Sequence, residues 1–325
     1  MARQWVGARL GSDSFALTPA SADASFRRYF RVTLQARSWI VMDAPPGHED
    51  CRPFVRVASL MREAGLHVPE IVAQDLERGL LLLSDLGTTS YLDALTSDSA
   101  DRLFAEAVDA LVIWQCATRL DTLPPYDAAL LQREIDLFPD WYLTRHLGWT
   151  LGADERQLLS QMSELLVASA LAQPRVYVHR DYMPRNLMVC EPNPGILDFQ
   201  DAVLGPVTYD VVSLFRDAFV SWDEARVLDW TVRYWEKARG AGLPVPLDFA
   251  EFYRDFEWMG LQRHLKVLGI FARICYRDGK PRYLQDAPRF LRYARAVCER
   301  YPALVPLNAL LDRIERRPAA TQYTF

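Results

Sequence analysis

The chain has 325 residues, and its 37 Lys and Arg against 42 Asp and Glu give a formal charge of 37 − 42 = −5. That length suits about two domains or lobes with cores of ordinary size. Half the residues are hydrophobic and a quarter charged, which excludes disorder, collagen and coiled coil, and mild acidity argues against a nucleic-acid partner. The basic residues are unevenly divided into 34 Arg and 3 Lys (Lys237, Lys266 and Lys280). Codon bias explains most of this, but no mechanism here can demand a lysine in the first 236 residues. The cysteines Cys51, Cys116, Cys190, Cys275 and Cys298 form no C-x-x-C pair, so reduced thiols are expected and no zinc site. The densest apolar run, residues 80–83, is far short of the ~18 residues of a membrane span, and residues 1–17 carry no signal-peptide pattern. A cytoplasmic protein is expected, with no membrane partner and no obligate protein partner.

Residues 1–83 read as β-rich with one helix. Residues 29–34 and 39–42 are strand-like around a short turn. Residues 51–64 place Phe54, Val57, Ala58 and Met61 at helical spacing, with Gly65 as the C-cap. Residues 68–72 and 79–83 read as further strands. Beyond Ser84-Asp85-Leu86-Gly87 the pattern is mostly helical, with Leu103, Ala107, Leu111 and Trp114 on one apolar face and Val211, Leu214, Phe215 and Ala218 on another. Short apolar strands at 176–178 and 195–197 flank polar loops. The pattern predicts an α+β protein: a β-rich lobe over 1–83, a hinge at 84–90 and a mainly α lobe over 91–325.

The chemistry concentrates in His179-Arg180-Asp181-Tyr182-Met183-Pro184-Arg185-Asn186, followed by Ile196-Leu197-Asp198-Phe199-Gln200-Asp201. An Asp on a loop can orient a substrate hydroxyl and accept its proton. An Asn five residues on, and an Asp at the next strand end, supply the hard oxygen ligands that Mg²⁺ prefers. Positioned nucleophile, metal and charge neutralisation are what phosphoryl transfer requires. H-x-D-x-x-x-x-N followed by D-x-x-D resembles the aminoglycoside phosphotransferase and choline kinase superfamily of the protein-kinase-like fold, over nearly the whole chain. The resemblance implies ATP and Mg²⁺ as cofactors, Asp181 as base, and Asn186 and Asp198 as metal ligands. It gives His179, Asp201 and Asp210 supporting roles. It also places the backbone of Ser84 and Leu86 at the adenine edge, and the phosphate-covering hairpin around Ser25.

Such enzymes usually carry a Lys or Arg on the third strand, oriented by a helix Glu. Here those positions fall on Met42 and near Val55. Losing both partners is coherent, since losing one alone would strand a partly buried charge. Either the chain is a non-catalytic pseudokinase or another cation serves the phosphates, with Arg28 and Arg31 on the adjoining hairpin as the candidates; the intact Asp181, Asn186 and Asp198 favour an active enzyme.

From residue 260 to 300 there are ten Lys or Arg against three Asp or Glu, a local charge of 10 − 3 = +7. A basic wall there would suit an anionic or neutral acceptor. The strings around Asp181, Asp198 and Asp210, the run 262–271 and Met42-Asp43-Ala44-Pro45 resemble the bacterial anomeric amino-sugar kinases of cell-wall recycling. That resemblance implies a small amino sugar, N-acetylmuramate or N-acetylglucosamine, phosphorylated at C1. Candidate sugar contacts are Arg180, Arg216, Asp217, Arg263, His264 and Lys266.

Overall fold

The computed structural model describes residues 2–21 and 27–315. The chain divides into two compact units. The first runs to Ala117 and takes in His179–Ala202; the second comprises Thr118–Val178 and the chain from Val203 onward.

The first unit opens with helix α1 (Ala2–Leu10), followed by β1 (Ala16–Ser21), β2 (Arg28–Leu34), β3 (Arg37–Asp43), α2 (Arg52–Glu63), β4 (Ile71–Asp75) and β5 (Leu80–Ser84). The strands form one antiparallel sheet in the order β1-β2-β3-β5-β4. Alternation along the strands sends Val32, Val41, Leu80 and Leu82 into a core with Trp5, Val6 and Phe15. α1 was not expected from the sequence. α2 buries Phe54, Val57, Ala58 and Met61, the four residues of the expected face. It ends as expected too, with Gly65 left-handed at φ 84° just beyond Ala64. The strand read at 68–72 starts later, at Ile71, because Pro69 has no N–H for a ladder. The unit continues through α3 (Tyr91–Ala94) and α4 (Ala100–Cys116), which buries the whole expected face. It is completed by the small hairpin β7 (Leu187–Met188) and β8 (Gly195–Ile196). The Ile196 N–H donates to His67 C=O at 2.8 Å and the Val189 N–H to Thr89 C=O at 2.9 Å, pinning that hairpin within the unit.

The second unit is mainly helical: α5 (Ala128–Ile135), a π-helical segment (Phe138–His146), α6 (Ala153–Ala172), α7 (Tyr209–Phe215), α8 (Glu224–Gly240), α9 (Phe249–Asp278), α10 (Ala287–Arg300) and α11 (Val305–Glu315). Its one two-stranded ribbon among the described residues pairs β6 (Arg175–Val178) with β9 (Val203–Pro206). α7 stops at Phe215, short of Ala218. α9 is the axis of the unit, buried almost continuously from Gly260 to Gly269. The basic residues at its centre are therefore not a solvent-facing wall: Arg263 is 2% exposed and Lys266 8%. A charge count along the sequence does not register that a helix is enclosed on every side.

Candidate active site

The chain leaves β6 at Val178 and turns into the first unit at His179, which is fully buried. His179 Nε2 is 2.9 Å from Leu197 C=O, so Nε2 carries the proton and donates. Nδ1 then accepts the Asp181 backbone N–H at 3.2 Å. Burial pushes the imidazole down to about 4, against the opposing pull of Asp181 and the Leu197 carbonyl. His179 is thus a neutral pin between the two loops, which is a supporting role.

The loops converge through a short chain of bonds. Asp181 C=O accepts the Met183 N–H at 2.9 Å and Asn186 Nδ2 at 2.9 Å. The Leu197 N–H donates to Asn186 C=O at 2.9 Å. Asn186 Nδ2 also sits 3.5 Å from Asp198 Oδ2, and Gln200 Nε2 donates to Asp198 Oδ1 at 2.8 Å. Arg180 and Asp198 adopt left-handed backbone, at φ 76° and 62°. Such residues cost about 1–3 kcal/mol each and persist where surrounding structure over-determines them. Below the loop, Tyr182 Oη donates to Ala107 C=O at 2.8 Å. Phe199 packs against Phe54 of α2 in a tilted pair, with ring centroids 4.7 Å apart. Asp201 is exposed, and its carbonyl accepts from Arg180 at 3.4 Å.

Asp198 is pushed up to about 6, first by crowding protein atoms and then by the charge of Asp181, with Gln200 and Arg27 opposing. The residue nevertheless keeps a face open to solvent, so the shift marks a crowded, negatively charged recess and not a sealed cavity. A divalent cation answers that pattern. Asn186 spends its amide nitrogen on Asp181 and Asp198, which leaves Oδ1 for an ion. Among the described residues no three His, Cys, Asp or Glu side chains converge as a cage. Mg²⁺ is commonly bound by one or two carboxylates, with water and phosphate completing its octahedron, so Asp198 and Asn186 Oδ1 are of the kind that could hold it.

At the end of β5, the Ser84 N–H donates to Glu70 C=O at 2.9 Å and its Oγ accepts from the Glu70 N–H at 2.8 Å. Leu86 is buried. Arg31 is engaged through two of its nitrogens: Nε and Nη2 reach Asp85 at 2.6 and 3.0 Å, and Nη2 also donates to Gly87 C=O at 2.7 Å. Burial works against the Asp85 carboxylate, but hydrogen bonds from Arg31, Ser38 and Gly87 hold it below its usual range. Arg31 therefore braces the 84–87 segment. Arg28, mostly exposed, pairs with Asp43 at 2.6 Å. Ser25 lies outside the described residues. Met42 is fully buried, in register with Tyr29 and Leu81, and Val55 lines a groove with β4. The sequence reading passed over one cation: Arg27, paired with Glu49 at 2.9 Å.

The other candidates lie in the second unit. Arg216 is buried over the Phe256 ring and paired with Glu257 at 3.3 Å. Asp217 Oδ2 accepts the N–H groups of Phe219 and Val220, while its buried Oδ1 has no partner. Burial raises the Asp217 carboxyl, with the Phe219 and Ala218 N–H groups and Arg263 opposing. Nε and Nη1 of Arg263, both ring nitrogens of His264, both amide atoms of Gln262 and Oγ of Ser213 are also buried without partners. Each such atom costs about 1–3 kcal/mol unless water or a ligand meets it. Burial holds His264 well below its ordinary range, so it is neutral. Lys266 is occupied instead, with Nζ 2.8 Å from Glu134 Oε1 and 2.8 Å from Tyr209 Oη. Asp210 is fully buried on α7.

A five-stranded antiparallel sheet joined to a loop that gathers Asp181, Asn186 and Asp198 defines a protein-kinase-like phosphotransferase of small molecules. The model of the phosphotransferase enzyme family matches residues 16–246, and the chain belongs to that family. It is 61% identical over 295 residues to the N-acetylmuramate/N-acetylglucosamine kinase of Pseudomonas aeruginosa, covering 91% of this chain and 87% of that one. It is 48% identical to the Neisseria meningitidis protein of the same name, over 99% and 98% of the two chains. A choline kinase from Streptococcus pneumoniae, also solved with AMP, shares the fold at TM-score 0.63 and 12% identity, over 90% of this chain and 98% of that one. The family, the α+β kinase-like fold and the phosphotransferase class expected from the motifs all hold.

Proposed function

We propose that the protein transfers the γ-phosphoryl group of ATP to the anomeric C1 hydroxyl of N-acetylmuramate or N-acetylglucosamine, in the cytoplasm. The observation that carries this is near-full-length identity to two kinases named for those sugars. Asp181 orients the hydroxyl and takes its proton; an anomeric hydroxyl is more acidic than an ordinary alcohol, so a carboxylate base suffices. The sugar oxygen bonds to the γ-phosphorus, the bond to the β-phosphate oxygen breaks and ADP leaves. Asp198 and Asn186 Oδ1 would hold Mg²⁺, which would supply charge neutralisation at the phosphates. His179 and the Asn186 amide fix the Asp181 backbone, so the base needs no reorganisation.

The 84–90 segment is read as a hinge between a β-rich lobe over 1–83 and a mainly α lobe over 91–325. It offers the Ser84 C=O and Leu86 N–H to adenine. For the sugar, the unpartnered atoms of Asp217, Arg263 and His264 are the strongest candidates. Arg216 stands beside them, and Lys266 is committed to Glu134. An ADP-release assay across amino sugars, aminoglycosides, choline and homoserine tests the reading, with phosphorus NMR locating the phosphate. Turnover on the amino sugars with a C1 phosphate is expected. Preference for a cationic acceptor would overturn it, and tight nucleotide binding without any transfer would mark a non-catalytic regulator.

A further inference from the structure

The ordinary phosphate-holding lysine has no counterpart on β3, and the two arginines expected to replace it are more exposed than Arg27, at 61% for Arg28 and 24% for Arg31. Arg31 spends Nε and Nη2 on Asp85 and Gly87, and Arg28 projects into solvent beside Asp43. Arg27 differs in three respects. Its guanidinium is held by Glu49 at 2.9 Å, and both side chains are shielded, at 13% and 17% exposure. It stands one residue before β2 at the end where Arg28 is in register with Asp43. That is the end from which the chain leaves β3 towards Glu49 and α2. The same start of α2 meets the segment that carries Asp198, because Phe54 packs against Phe199, the neighbour of Asp198. Glu49 and Phe54 are five residues apart, so one short segment ties the cation and Asp198 to the same corner of the first unit.

We infer that Arg27 replaces the missing strand lysine by binding the α and β phosphates of the nucleotide, with Glu49 as the positioning residue that aims it. This rests on the reading of the protein as an ATP-dependent kinase. The chemistry suits arginine better than lysine. A guanidinium presents five N–H donors in a planar fork, a geometry that can bind a carboxylate and a phosphate at the same time. An ammonium holding Glu49 would meet the phosphate as a point charge only. The pair also keeps the recess neutral before nucleotide arrives, so a shielded cation is never left alone.

The test compares ADP and adenosine binding by calorimetry for the wild-type chain, Arg27→Ala, Arg27→Lys, Glu49→Gln and Arg52→Ala. Arg52 is an exposed arginine next to the same corner. Arg27→Ala should weaken ADP at least tenfold and leave adenosine within twofold. Arg27→Lys should recover only part of the loss, Glu49→Gln should lose severalfold, and Arg52→Ala should match wild type. In steady state the KM for ATP should rise with the sugar KM unchanged. Equal losses for ADP and adenosine would reduce the pair to a structural role and overturn the inference. So would a larger ADP loss in Arg28→Ala or Arg31→Ala than in Arg27→Ala. Wild type that binds ADP with Arg27→Ala undiminished refutes the inference alone; wild type that binds no nucleotide refutes the kinase reading with it.

Discussion

Acid should weaken this protein through His179, and a single substitution should expose the effect. The imidazole is fully buried, donates from Nε2 to Leu197 C=O and accepts the Asp181 N–H at Nδ1. A proton on Nδ1 would face that N–H, so the charged form loses both its water and its acceptor. The folded pKa is about 4 against an ordinary 6.5. Between those values the unfolded chain binds the extra proton, so stability is complete above 6.5 and falls as pH falls towards 4. At about 1.4 kcal/mol per unit, the loss approaches ~3 kcal/mol in full, with about 1.4 gone by pH 5.5 and about 2 by pH 5. Gln at 179 can still donate to Leu197 but leaves the Asp181 N–H unmet, at a cost of about 1.5 kcal/mol independent of pH. Urea unfolding of wild type and His179→Gln from pH 8 to pH 4 should therefore show wild type ahead at pH 8. The curves should meet near pH 5.5 and reverse below it. Asp198 titrates in the opposite sense, with a folded pKa raised to about 6, but in both proteins, so it drops out of the difference. A gap that stays constant across the range would refute the buried neutral imidazole.

Asp181→Asn should keep ADP binding and lose about 10²–10⁴ in kcat, read in the ADP-release assay. Chelating Mg²⁺ should abolish turnover in wild type, and Asp198→Asn should remain inactive at any Mg²⁺ concentration. Removing Lys266 alone would strand the buried Glu134 and should destabilise by about 3–5 kcal/mol, measured by urea unfolding. The double change Lys266→Met with Glu134→Leu should recover most of that loss and retain activity if Lys266 is structural. Gly269→Ala would drive a Cβ to 2.3 Å from the Leu137 backbone, which should cost at least about 1–3 kcal/mol in the same measurement.

The strands, α2 and the catalytic loops were legible because each follows a local rule: period-two alternation, period-3.6 burial, or a fixed spacing of oxygen-bearing side chains. α1 was not, because its only buried residues are Trp5, Val6 and Gly7, too few to set a period. Its burial comes from the sheet it covers, which is tertiary information. The enclosure of Arg263, His264 and Lys266 was hidden for the same reason: local composition reads +7 whether α9 is at the surface or at the centre. Arg27 was missed because the search for a phosphate cation followed β2 itself. The feature that singles Arg27 out is Glu49, in a segment with no periodicity of its own.

His179–Ala202 reaches its place in the first unit only after Thr118–Val178 has been made. During vectorial synthesis the acceptor carbonyls of His67 and Thr89 must therefore wait for Ile196 and Val189, which emerge a hundred or more residues later. A nascent chain stopped at Ala117 holds the sheet but none of Asp181, Asn186 or Asp198. Every N-terminal fragment that stops short of Asp198 therefore lacks part of the set Asp181, Asn186 and Asp198, and neither unit can be obtained by cutting the chain at one peptide bond.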